Sequence, residues 1–150
     1  MNNQIKPIKI LLTATFCFLF YSIALASLSP QNLNIPANYG TVKETFDAAL
    51  LNQNTKPLII HIQDAHCNYE AQKNMSGLLK YLVNEYGLKL IMVEGGSGDV
   101  SLSSLRGYAD KNTRIEVAER YLKEGKISGE EYLDIISDQP LGDRLKPSGN

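Results

Sequence analysis

Apolar positions along this chain fall into three regimes. From Ile10 to Ala26 they run almost unbroken, from Leu58 to Val93 they are periodic, and beyond Ile115 they thin into short helical faces. The central regime carries the fold. Leu58-Ile59-Ile60-His61-Ile62 is short, rich in β-branched residues and apolar on both faces, the pattern of a strand covered on both sides. A helix follows over about 68–86, in which Met75, Leu78, Leu79, Leu82, Val83 and Tyr86 form one stripe at helical spacing. Gly87 stands where a left-handed C-cap is expected. Leu88 to Val93 reads as a second strand, closed by Glu94 and a Gly95-Gly96-Ser97-Gly98 loop. Strand, helix and strand joined by short connections predict a right-handed parallel βαβ unit, hence an α/β fold.

The flanks are read from caps and breakers. Ser27 to Gly40 is rich in Pro, Asn and Gln and suits an extended arm. Thr41-x-x-Glu44 has the form of a capping box, and Val42, Phe46, Ala49 and Leu50 share a face of the helix it would open, broken over 52–57. Downstream, Ile115, Ala118, Tyr121 and Leu122 share a helical face before Gly125. Ser128-x-x-Glu131 is a second capping box, opening a short helix with Tyr132, Leu133 and Ile136. From Asp138 to Asn150 there are two prolines, two glycines and no apolar period, so that tail is expected to be disordered. Two strands are fewer than open parallel sheets usually have. The expected architecture is therefore one parallel βαβ unit plus flanking helices over residues 27–137, an incomplete piece of a larger α/β domain.

The first regime is read as a leader. Lys6 and Lys9 precede the apolar run, which ends in Ala24-Leu25-Ala26, a small-x-small pattern suited to signal peptidase. Residues 1–26 are accordingly expected to be a signal peptide cleaved near Ala26, leaving a periplasmic or extracellular protein with no stable membrane span. Removing the leader takes the formal charge from −1 to −3. A mildly acidic domain without a basic cluster is a poor nucleic-acid binder. Of the two cysteines, Cys17 goes with the leader and Cys67 is left without a disulfide partner.

Candidate chemistry gathers where the two strands would end. Ligands of parallel sheets bind outside the carboxyl edge, where the first strand would deliver Asp64 and His66 and the second Glu94. The helix that begins there turns its positive end to the same place. An imidazole at that edge suits a general base or a metal ligand, with a carboxylate to fix its tautomer. The plainer alternative is a loop histidine capping the helix. His61, mid-strand, is expected to be a packed core histidine, and Cys67 a small buried residue. The glycine loop fits neither a nucleophile elbow, a P-loop nor a dinucleotide fingerprint. Tyr69, Tyr81 and Tyr86 are expected to pack along the helix.

Ile60-His61-Ile62-Gln63-Asp64-Ala65-His66-Cys67-Asn68, the helix, and then Ile91-Met92-Val93-Glu94 together resemble the first half of the erythromycin-esterase/ChaN/TraB–Tiki superfamily. Asp64 matches the family's acidic position, His66 its histidine and Glu94 the glutamate ending its second strand. Gln63 stands where the family usually has glycine. The resemblance spans roughly 41–101. It implies a hydrolase of ester or peptide bonds, metal-assisted in some members through His66 and Glu94, or a haem-binding module in which Tyr69 is a candidate ligand. Family members bring a second histidine motif from downstream, whereas the histidines here are His61 and His66. Three expectations follow. The first is the N-terminal part of an exported hydrolase for a small-molecule or peptide substrate, with His66, Glu94 and Asp64 catalytic. The second is a haem- or divalent-metal-binding module without catalysis, and the third a truncated inactive remnant.

Overall fold

The computed structural model describes residues 29–47, 57–95, 97–138, 141 and 144–148. The leader, its cleavage site, Cys17 and the end of the helix expected after Thr41, from residue 48 on, lie outside the described residues. The fold is α/β. Helix α1 spans Tyr69–Tyr86, strand β1 Ile91–Val93, helix α2 Lys111–Lys123, helix α3 Gly129–Ile136 and strand β2 Leu145–Pro147, with single 3-10 turns at Pro30–Asn32 and Ser103–Gly107.

Local signals set the helix ends. Asn68 caps α1 by accepting from the Ala71 N–H, and Gly87 closes it in the left-handed region at φ 63°. Asp110 caps α2 by accepting from the N–H groups of Asn112 and Thr113. Ser128 and Glu131 complete a reciprocal capping box at the start of α3. Each satisfies donors that the first turn of a helix leaves without a partner.

β1 and β2 pair in parallel, with Ile91 opposite Leu145 and Val93 opposite Pro147. The crossover between them carries α2 and α3. One core forms where α1 meets this sheet and α3: Leu79, Ile91, Leu133, Leu141 and Leu145 are buried, with Met75, Val83 and Ile62 packed at the margin. A second joins Ala118 and Leu122 of α2 to Tyr132 and Ile135 of α3. Gly129 lets α3 approach α1 closely, since a Cβ there would stand 2.4 Å from the Gln72 carbonyl oxygen.

Three stretches differ from the sequence reading. Residues 58–62 add no strand to the described sheet. They meet the core along one side only: Ile60 and Ile62 are half-buried while Ile59 is 83% exposed. β1 takes its ladder partner instead from β2, inside the stretch expected to be disordered. Two leucines there, Leu141 and Leu145, are too few to make a periodic pattern, yet both are buried. His61 follows the outward-facing side of its segment and is exposed. Residues 41–47 are not helical; Val42 and Phe46 are exposed, and a short helix with no face to bury is unstable in isolation.

The arm before them is anchored to α1. The Asn34 N–H donates to the Tyr86 hydroxyl at 2.9 Å, and the Tyr81 hydroxyl donates to the Asn34 carbonyl at 3.0 Å. Tyr39 stacks beside Tyr81 and fills the space over Gly77, where a Cβ would lie 2.5 Å from its ring. Among the described residues no helix is long and apolar enough to cross a membrane.

Candidate functional site

A tight turn sets the site. The Asn68 N–H donates to the Ala65 carbonyl at 2.9 Å, leaving His66 and Cys67 at the two central positions of the turn. Because Asn68 caps α1, His66 does not, and the capping alternative for this histidine is ruled out. Its imidazole turns back toward Asp64, with Nδ1 3.1 Å from Oδ1. The two side chains differ sharply in environment. The Asp64 side chain is 8% exposed and that of His66 77%.

Asp64 is held from its other oxygen. The Gln72 amide, one turn inside α1, donates to Oδ2 of Asp64. A carboxylate has no proton to donate, so a hydrogen on Nδ1 of a neutral His66 would point at Asp64 and leave Nε2 its lone pair. A free lone pair on an exposed imidazole, backed by a buried acid, is the arrangement of a general base with its orienting carboxylate.

Glu94 ends β1, as expected, but faces a different space. Beyond the strand lies a cleft of about 380 Å³ lined by Val93, Glu94, Asp99, Ser128, Glu130 and Glu131 among others, and by neither Asp64 nor His66. The fold thus brings Asp64 and His66 together, and the cleft beyond β1 takes Glu94 without them. Among the described residues no group of three or more His, Cys, Asp or Glu side chains is placed to hold a metal ion.

Tyr69, the candidate haem ligand, is already engaged. Its hydroxyl donates to Glu119 of α2, and this hydrogen bond raises the phenol above its ordinary range. Lys73 and Tyr132 complete the cluster: the Lys73 ammonium pairs with Glu119 and donates to the Tyr132 hydroxyl at 2.7 Å, and that hydroxyl donates to Glu119 at 2.8 Å. Burial pushes the Glu119 carboxyl up, but the hydrogen bonds from Lys73, Tyr69 and Tyr132 outweigh it and hold the group at about 2. Tyr69 thereby ties α1 to α2. Cys67 is exposed rather than buried, as the turn requires.

The polar residues that organise this region were not among the sequence candidates. Gln72 and Ser76 are buried on α1, and Asp134 is buried on α3. A signal for the first two was present, because both continue the Leu79 face of the helix toward its N-terminus. No family model, curated protein or solved structure matches this chain.

Proposed function

We propose that this chain is an exported hydrolase of ester or peptide bonds in which His66 is the general base and Asp64 its orienting acid. The observation that carries the reading is the contrast within the dyad: a carboxylate 8% exposed holds Nδ1 of an imidazole 77% exposed at 3.1 Å. In that reading Nε2 takes a proton from water as its oxygen attacks the substrate carbonyl. Asp64 stabilises the imidazolium that forms, and Nε2 then returns the proton to the departing alcohol or amine. Glu94, at the neighbouring cleft, serves substrate binding. The resemblance of the 60–68 and 91–94 segments to the superfamily named above points to the same reaction class.

The test uses the full chain with p-nitrophenyl acetate and a fluorogenic casein. His66→Ala is expected to lower the rate on the accepted substrate by about 10²–10⁴-fold, the usual worth of a positioned acid–base group. Because the side chain is so exposed, the same substitution should leave stability within about 0.5 kcal/mol. Full activity in His66→Ala, or no hydrolysis of either substrate by the unaltered chain, overturns the proposal.

A further inference from the structure

The Gln72 side chain touches both the dyad and the third helix. Its residue is 2% exposed. The N–H of Gly129, in the first turn of α3, donates to its Oε1 at 2.6 Å, and its Nε2 donates to Oδ2 of Asp64. The two partners fix how the amide must lie. A backbone N–H can only donate and an ionised carboxylate can only accept, so oxygen faces Gly129 and nitrogen faces Asp64. A buried amide with both ends satisfied has no alternative orientation of similar energy.

Neither partner can yield easily. Gly129 sits hard against the Gln72 backbone, as the 2.4 Å approach of a Cβ there shows. The Gln72 backbone is fixed in turn, its N–H donating to the Asn68 carbonyl at 3.0 Å within the first turn of α1. The amide is therefore clamped between two helices before it reaches Asp64. Asp64 itself lies in an extended segment that no strand pairing holds in the described sheet. What fixes its carboxylate is this amide.

We infer that Gln72 is a positioning residue that, through Asp64, sets the Nδ1–H tautomer of His66 and leaves Nε2 free toward solvent. The inference deepens the proposed hydrolytic role, yet its physical content is the state of an imidazole and can be read without any substrate. His66 and Asp64 are the titratable members of the chain of contacts; Cys67 follows His66 in the turn, Glu70 stands two residues before Gln72 in α1, and Glu130 follows Gly129 in α3.

The experiment is two-bond ¹H–¹⁵N correlation of the histidine rings in the full chain, at a pH where His66 is neutral. His61 serves as the internal reference. Unaltered protein should show His66 mainly as the Nδ1–H form. Gln72→Met is the decisive variant, because it keeps the volume, removes the donor to Asp64 and sets no second carboxylate against it. It is expected to shift the ratio of the two tautomers at least tenfold toward Nε2–H, about the weight of one hydrogen bond to a charged group. Asp64→Asn should shift it in the same direction.

Amide dispersion and a cooperative thermal transition establish that each variant is folded. If Gln72 only braces α3 against α1, Gln72→Met leaves the His66 tautomer where it was, and the inference is overturned. A His66 already in the Nε2–H form in the unaltered chain overturns it equally. Absence of hydrolysis together with the expected tautomer shift would reject the proposed reaction and leave the positioning role standing.

Discussion

A side chain buried with its charge must find every partner it lost in water, and Asp134 does so completely. It is 0% exposed, pairs with the Arg106 guanidinium at 2.6 Å, and accepts from the Ser101 hydroxyl and from the N–H groups of Leu102 and Leu141. One carboxylate on α3 thus gathers the loop after β1 and the approach to β2. Breaking such a pair on one side leaves a buried charge uncompensated, which typically costs about 3–5 kcal/mol. Arg106→Met should therefore lower the urea unfolding free energy by about that much. Lys111→Met, which removes an exposed pair with Asp138, should change it by less than about 1 kcal/mol. Glu119 supplies a pH-dependent counterpart. Its carboxyl is held at about 2 against an ordinary 4.5. A depressed acid contributes stability that is fully present above its unfolded value and is lost as pH falls through the folded one. Denaturant midpoints of the unaltered chain and Glu119→Gln should differ most near pH 7 and converge between about pH 4.5 and 2.

Elements were legible where one residue decides them and illegible where a distant one does. Asn68, Gly87, Ser128 and Glu131 act within one turn of themselves, so their pattern in the sequence is their function in the structure. The Asp64–His66 pairing was legible for the same reason, two residues apart across a turn. Residues 58–62 have the composition of a strand, but composition does not supply a ladder partner; β1 found one more than fifty residues later. Glu94 was legible as the residue that follows β1. α3 shows how far caps matter in a short element. Its eight residues are too few to hold themselves, and its first turn is satisfied by the Ser128–Glu131 box and by Gln72. Ser128→Ala is expected to cost about 1 kcal/mol in chemical denaturation. Gly129→Ala should cost more, about 1–3 kcal/mol, because its Cβ would drive α3 off the α1 backbone.

At the scale of the molecule, the core is closed by a segment with almost no sequence signature. Leu141 and Leu145 are 3% and 2% exposed and pack with Leu79, Ile91 and Leu133, so α1, β1 and α3 share a cluster that the last strand completes. Backbone bonds bind that strand at both ends. The Ile91 N–H donates to the Arg144 carbonyl at 2.7 Å, and the Ser148 N–H to the Val93 carbonyl at 2.9 Å. Pro147, which has no N–H, stands opposite Val93 between them, where a two-stranded sheet leaves an edge free. Such short strands hold only if their side chains are buried, since an isolated strand pair is marginal in water. The tail and the central helix are then one cooperative unit, and a leucine at position 145 matters as much as one in α1. Leu145→Ala should lower the unfolding free energy by about 2–5 kcal/mol, in the range of Leu82→Ala, while Phe46→Ser, at a 72% exposed position, should stay within about 0.5 kcal/mol. Urea titrations followed by far-ultraviolet circular dichroism check all three. A Leu145→Ala change no larger than that of Phe46→Ser would mean that the last strand is not part of the core and that α1, β1 and α3 hold without it.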